Sequence, residues 1–319
     1  MVEKILVTGA NGQIGTVLTN ALRDKYGIDN ILASDIKERE DDRGHFEFLD
    51  ILNVTRLEEI IVNYKITQIF HLAAILSASG ERNPSKTWNI NLNGFLSILE
   101  LAEEHKINKV FFPSSIAVFG HTTPRIETPQ DVPLLPETVY GMSKSSGELW
   151  CNYYFKRYGL DIRSLRYPGI IGHQSLPEGG TTDYAVEIFH AALKDKKYQC
   201  FLAADTRLPM MYMPDMIRAT VELMSAPKEN IKTRSAYNLT GMSFTPAEIA
   251  ETIKSFIPEF EITYKPDFRQ AIAESWSESI NDQRAREEWN WKPNYNLHMM
   301  TKDMLEKLSG KKMETIVQI

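Results

Sequence analysis

The sequence predicts an α/β protein: a doubly wound parallel sheet with a smaller, interwoven C-terminal lobe. Three observations predict it. Short apolar runs alternate with amphipathic stretches through the first half, the order expected of repeated βαβ units. A glycine-rich turn joins the first apolar run to the first amphipathic stretch. After residue 167 the regular alternation weakens, and no repeat, low-complexity tract or linker separates the second half from the first. The organisation expected is a nucleotide-binding domain over residues 1–166, to which 209–240 returns. A substrate-binding lobe is expected over 167–208 and 241–319.

In chain order, the first run is residues 4–8, followed by the glycine turn and a helical stretch to about residue 25. Further strand-like runs are 31–35, 46–49, 68–73, 109–113 and 161–166. Amphipathic segments at 54–64, 88–104 and 140–158 supply crossover helices. Beyond them, 182–193 reads as helical. Thr245-Pro246-Ala247-Glu248 opens another helix, with an N-cap threonine, proline at the first position and glutamate at the third. Trp276, Trp289 and Trp291 stand among charged residues, which predicts aromatic packing at the edge of the small lobe.

The chain of 319 residues is 43% apolar and 24% charged, enough to build a sizeable core and too apolar for a disordered chain. Its formal net charge of −6 and the absence of a lysine-arginine stripe argue against a nucleic-acid partner. Cys151 and Cys200 match no metal spacing and fit buried thiols in a reducing compartment. Met1-Val2-Glu3-Lys4 leads directly into the first strand pattern, and no apolar run reaches membrane-spanning length. The expectation is a soluble, cytoplasmic protein with no membrane partner.

Thr8-Gly9-Ala10-Asn11-Gly12-Gln13-Ile14-Gly15 places glycines in a G-x-x-G-x-x-G pattern between strand and helix. Glycine permits the tight turn, lets a pyrophosphate approach the backbone, and allows close helix–strand packing. The helix N-terminus then offers N–H groups and a favourable dipole to phosphates. This is the turn of a Rossmann-type dinucleotide site. Asp35 ends the second strand about 20 residues on, where a carboxylate binds ribose hydroxyls and repels a 2′-phosphate. NAD is therefore expected over NADP, although Lys37 and Arg39 lie nearby. Asp50-Ile51, after the third strand, is placed beside the adenine. Leu72-Ala73-Ala74, after the fourth, is small enough for close approach of the backbone to the cofactor.

Tyr140-Gly141-Met142-Ser143-Lys144 sets a phenol and an ammonium one helical turn apart on one face. A free tyrosine has a pKa of about 10 and is protonated at neutral pH. A neighbouring ammonium and an oxidised nicotinamide favour the phenolate, which can take a proton from a substrate hydroxyl as hydride leaves the adjacent carbon. Ser114 and Ser115 end the fifth strand at the carboxyl edge, where open α/β sheets bind ligands, so a hydroxyl there can hold the reacting oxygen. Their plainer role is to cap a loop.

With these residues assembled, the chain resembles the extended short-chain dehydrogenases/reductases over nearly its whole length. The resemblance runs through Thr8–Gly15, Asp35, Asn91, Ser115, Tyr140, Lys144, Tyr167-Pro168-Gly169, Asp282-x-x-Ala285 and Trp291-x-Pro293. Within that superfamily it is most similar to the epimerase-like, short-chain L-threonine 3-dehydrogenases. The specific marks are Leu76-Ser77-Ala78-Ser79-Gly80-Glu81, Pro113-Ser114-Ser115-Ile116 and Gly179-Gly180-Thr181-Thr182-Asp183-Tyr184-Ala185. Others are Arg207-Leu208-Pro209-Met210-Met211-Tyr212, Met242-Ser243-Phe244-Thr245-Pro246 and Arg269-Gln270-Ala271-Ile272-Ala273-x-Ser275-Trp276.

The resemblance implies NAD-dependent oxidation of L-threonine at its β-carbon to 2-amino-3-ketobutyrate. It makes Tyr140 the general base, Ser115 the holder of the β-hydroxyl, and Lys144 the residue that binds the nicotinamide ribose and lowers the tyrosine pKa. Asn91 supports the lysine through water. Ser77, Ser114, Thr181 and Trp276 are the further substrate contacts. The cofactor set it implies is Gly9, Asn11, Gly12, Gln13, Ile14, Gly15, Asp35, Lys37, Asp50, Ile51, Leu72, Ala73, Ala74, Asn91, Tyr140, Lys144, Tyr167 and Ile170. A homodimer through the two long helices is implied by the same resemblance, and no metal is implied.

Plain alternatives stand beside these assignments. Thr181 and Thr182 can cap the following helix, Trp276 can be packing, Asn91 can pair locally, and His71 and His121 read as structural. A nucleotide-sugar epimerase shares the same core and would grip a diphosphate with arginines such as Arg207 and Arg269. A dehydratase would need an acid–base pair beside the serine, and Ile116-Ala117 supplies no carboxylate there. A non-catalytic NAD-sensing protein is a third reading, against which the intact Ser115, Tyr140 and Lys144 argue.

Overall fold

A computed structural model describes residues 3–38, 44–177 and 180–315; Arg39 and Gly179 lie outside the described residues. The strands are β1 Ile5–Thr8, β2 Ile31–Asp35, β3 His45–Phe48, β4 Gln68–His71, β5 Lys109–Ser115 and β6 Asp161–Tyr167. They continue with β7 Gly169–Ile171, β8 Lys197–Cys200, β9 Leu208–Tyr212, β10 Tyr237–Asn238, β11 Met242–Phe244 and β12 Glu261–Tyr264. The helices are α1 Gln13–Tyr26, α2 Val54–Asn63, α3 Ser77–Gly80, α4 Pro84–Trp88, α5 Gly94–Glu104 and α6 Val139–Tyr158. Beyond these come α7 Tyr184–Lys194, α8 Met213–Ser225, α9 Pro246–Lys254, α10 Arg269–Glu274, α11 Gln283–Trp289 and α12 Leu297–Ser309.

The central sheet is wholly parallel, in the order β3-β2-β1-β4-β5-β6-β10. Period-2 alternation decides its two faces. Ile5, Val7, Ala33, Phe70 and Phe111 point to one side and pack under α1 and α8. Leu6, Leu32, Ile69, Val110 and Phe112 point to the other and pack under α2, α5 and α6. The predicted sheet of six strands gains a seventh, β10, supplied by the segment that returns after the second lobe begins. Only two residues long, β10 carries too little pattern to be read alone.

The second lobe is built around a three-stranded sheet, β7-β9-β11, and a parallel pair, β8 with β12. Its core gathers Tyr184, Phe189, Phe201, Phe244, Trp276, Met300 and Met304, and continues onto Ile116, Ala117, Val118 and Phe119 just past β5. Trp276 is thus lobe core. Trp289 and Trp291 depart from the expectation: they pack on the α1 and α8 face of the central sheet. The Thr245 capping box is formed, with the Glu248 side chain accepting from the Thr245 N–H at 2.8 Å. The N-cap of α7 is Asp183, with no side-chain cap bond, so Thr181 and Thr182 do not cap that helix. Among the described residues, no helix is long and apolar enough to cross a membrane.

Candidate active site

Strand order reverses between β1 and β4, and the glycine turn leaves β1 there, at the carboxyl edge. Gly9 has φ +70°, and a Cβ on it would lie 2.6 Å from the Ala73 nitrogen, so the turn closes directly on the loop after β4. A Cβ on Gly15 would lie 2.1 Å from the Gly9 oxygen, so α1 starts hard against the turn. The first-turn N–H groups of α1, Gln13 and Ile14 among them, have no intrahelical acceptor.

The turn opens on a cleft of about 380 Å³. Gly9, Asn11, Gly12, Asp35, Lys37, Asp50, Ile51, Leu72, Ala73 and Ala74 all line it, as the sequence led us to expect. The Asp35 carboxylate accepts the Asn11 N–H at 3.0 Å and the Lys37 N–H at 3.1 Å, which fixes its charge at the rim. Sequence reasoning missed Thr8, Ile36, Leu49, Leu52, Ile75, Lys86 and Ile90, which line the same cleft. Lys86 and Ile90 stand four residues apart on one helical face, the signal that was available.

Beside this cleft, α6 lies across the end of β5. Thr138 caps it by accepting the Gly141 N–H at 3.0 Å. Lys144 is buried, and its Nζ donates to the Pro113 carbonyl at 2.7 Å and sits 5.5 Å from the Tyr140 ring centroid. Burial lowers the Lys144 amine to about 7. Burial pushes the Tyr140 phenol up to about 12, while a hydrogen bond with Ser115 draws it down. Ser115 also accepts the Ala117 N–H at 3.2 Å, which orients its hydroxyl. Tyr140, Lys144 and Ser115 therefore meet at one place, where α6 crosses the end of β5.

Asn91 lies in a π-helical turn, Asn89–Asn93, between α4 and α5. Its side chain accepts from the Ile75 N–H at 2.8 Å and donates to the Ser143 hydroxyl at 3.3 Å. It pins the loop after β4 to α6 and reaches the residue next to Lys144. His71 is held between Thr8, at 2.9 Å, and the Phe95 ring; burial foremost, then the Lys144 charge, lowers it to about 3. His121 pairs with Glu137 at 2.5 Å.

Two expectations are corrected. Ser114 is buried and donates its hydroxyl to Glu148 at 2.6 Å, so strand alternation turns it away from the site and it is not a substrate contact. Tyr167 packs its ring on Phe111 in the core and bonds its hydroxyl to Thr220, so its side chain is not available to a cofactor. Ile170, just past β6, is half-buried in β7. Ser77 is buried at the start of α3. Thr181 is buried with a hydroxyl that has no partner among the described residues, next to Thr182, whose methyl would meet a Cβ on Gly169 beyond β6. Trp276 is almost wholly buried and is tied through its carbonyl to Arg125.

The family described as NAD dependent epimerase/dehydratase matches residues 5–240. The chain belongs to that family. An uncharacterized epimerase/dehydratase of Staphylococcus saprophyticus is 45% identical over 314 residues, covering 97% of this chain and 98% of the relative. Among solved structures, a GalE-like L-threonine dehydrogenase from Cupriavidus necator in its holo form is 50% identical. It has a TM-score of 0.94 and covers 96% of this chain and 99% of its own. A monomeric L-threonine 3-dehydrogenase from a metagenome, in its apo form, is 49% identical at a TM-score of 0.93 and covers 95% and 98%. The family's α/β fold is thus shared in full, and the epimerase/dehydratase core ends near β10, the last strand of the central sheet.

Proposed function

We propose that the protein oxidises L-threonine at its β-carbon to 2-amino-3-ketobutyrate, with NAD as hydride acceptor. The observation that carries the reading is the meeting of Ser115, Tyr140 and Lys144 beside the cleft, in a chain half identical to L-threonine dehydrogenases along its length.

The cleft fits a dinucleotide. A Cβ at Gly9 would strike the Ala73 backbone and one at Gly15 the Gly9 oxygen, so bare glycine is what lets the turn close and α1 begin with its first N–H groups beside the cleft, as phosphates need. Gly9, Asn11, Gly12 and the first turn of α1 would hold the pyrophosphate, Asp35 the adenosine ribose, and Asp50 and Ile51 the adenine. When bound, oxidised NAD supplies the hydride acceptor and a positive charge beside the phenol. Lys144 Nζ holds the ribose and adds its own charge where it favours phenolate. Tyr140 Oη takes the β-hydroxyl proton while Ser115 Oγ holds the same oxygen in line. The Thr181 hydroxyl, unpartnered among the described residues, supports its place as a substrate donor, with Ser77 and Trp276 assigned to the amino-acid side.

The epimerase reading needs arginines for a diphosphate, but Arg207 pairs with Glu248 and Arg269 with Asp267. Met142, Leu149 and Tyr153, exposed along α6, support self-association as a homodimer. Sedimentation equilibrium tests it, and a monomer at micromolar concentration rejects it. For the chemistry, purified protein is mixed with NAD and L-threonine while NADH absorbance is followed, with Tyr140→Phe in parallel. Threonine-dependent NADH lost in the variant supports the reading. No NADH from threonine, with epimerised nucleotide sugar and retained NAD, supports the epimerase instead.

A further inference from the structure

Three successive residues of β5 each face one of three successive turns of α6. Pro113 accepts Lys144 Nζ at 2.7 Å, Ser114 donates to Glu148 Oε1 at 2.6 Å, and Ser115 lies beside the Tyr140 phenol. Tyr140, Lys144 and Glu148 recur every four residues, so they form one row facing the strand end. The middle rung is almost wholly buried. Ser114 and Glu148 are each 1% exposed.

Behind that rung stands Arg166 of β6, paired in register with Ser114. Its Nε meets Glu148 Oε1 at 2.9 Å and its Nη2 meets Oε2 at 2.7 Å, a two-pronged clamp on a buried carboxylate. Its Nη1 donates to the Gln130 carbonyl and to Asn238 Oδ1, both at 2.9 Å. Asn238 belongs to β10, and its N–H donates to Gln130 Oε1 at 2.8 Å. The clamp thus fixes β6, β10 and the loop carrying Gln130 against the strand whose last residue is Ser115.

Resting on the reaction proposed above, we propose that Glu148 and Arg166 are positioning residues, acting through Ser114 to set where Ser115 stands relative to Tyr140. A strand end with one side chain anchored inward presents the next outward. With the Ser114 hydroxyl held, the Ser115 hydroxyl has one direction to take. Without it, the strand end is free to rotate and the serine–tyrosine geometry loosens.

The test is a cycle of wild type, Ser114→Ala, Glu148→Gln and the double variant, measured for kcat and KM with L-threonine and NAD. Ser114→Ala leaves the ion pair whole and is expected to lower kcat about tenfold, with both KM values within about twofold. On top of Glu148→Gln it is expected to add less than about twofold, because an amide facing Arg166 loses one prong of the clamp and no longer holds the Ser114 hydroxyl in a fixed place. A raised threonine KM with unchanged kcat makes Ser114 a substrate contact and overturns the proposal, as does full additivity. If Glu148→Gln fails to fold, the split between kcat and KM in Ser114→Ala decides alone. If wild type makes no NADH from threonine, the reaction is wrong, and crystal structures of wild type and Ser114→Ala test the clamp without substrate. A Ser115 hydroxyl turned from Tyr140 in the variant supports it, and unchanged geometry overturns it.

Discussion

Replacing Gly15 by alanine tests whether the start of α1 closes on the glycine turn as the cofactor cradle requires. The added Cβ would stand 2.1 Å from the Gly9 oxygen, 0.9 Å inside the 3.0 Å that real Cβ contacts respect, with Ala10 Cα at 2.8 Å. The neighbours are backbone, so α1 must move by about that much. Overpacking of this kind costs about 1–3 kcal/mol, offset by about 0.5–1 kcal/mol from alanine's better helix propensity. A net loss of about 1–2 kcal/mol lowers Tm by about 1.5–3 °C in a chain of this size. The same movement withdraws first-turn N–H groups from the phosphates. One lost charge-assisted hydrogen bond of about 1.5–3 kcal/mol weakens NAD by about 10- to 100-fold. Gly12→Ala is the control. Its Cβ would meet the Gly9 oxygen at an ordinary 3.4 Å, yet Gly12 lines the cleft, so Tm should hold while NAD affinity falls. Calorimetric titration with NAD and thermal melts read both. A Gly15→Ala protein with wild-type affinity and Tm would refute the reasoning.

The geometry sets three further outcomes. The Asp35 carboxylate at the rim should weaken NADP against NAD by about 100-fold through like-charge repulsion; Asp35→Asn should narrow that ratio at least tenfold, read as Kd for each. Lys144 is lowered by burial from 10.5 to about 7, so the unfolded chain keeps a proton that the folded one releases. Folding therefore carries a penalty that is full below pH 7 and fades as pH rises to 10.5. Lys144→Met should melt above wild type at pH 6, with the gap closing across that window; a gap independent of pH would contradict it. Glu148→Ala leaves the Arg166 guanidinium buried without its partner, so it should cost about 3–5 kcal/mol in chemical denaturation.

Much of this was legible because the relevant signals are local. The glycine turn, the Asp35 strand end and the Tyr140–Lys144 turn each lie within one element, and each element formed where its periodicity placed it. What was illegible depends on partners far along the chain. Ser114 reads like Ser115 in sequence, and only strand alternation and Glu148, 34 residues on, separate their directions. Tyr167 looked available until Thr220, 53 residues on, took its hydroxyl. Trp289 and Trp291 carry no mark that distinguishes a lobe edge from the α8 face of the central sheet. The π-helical turn at Asn91 interrupts no pattern that a helical period would reveal, yet it aims the amide at Ile75 and Ser143.

The most direct test uses L-threonine deuterated at its β-carbon, incubated with the protein and NAD, and mass analysis of the reduced cofactor. The account predicts threonine-dependent NADH carrying one deuterium on its nicotinamide, together with a slowed turnover if hydride transfer limits the rate. Unlabelled NADH, or no NADH at all, would contradict the claim that Ser115, Tyr140 and Lys144 direct hydride loss from that carbon.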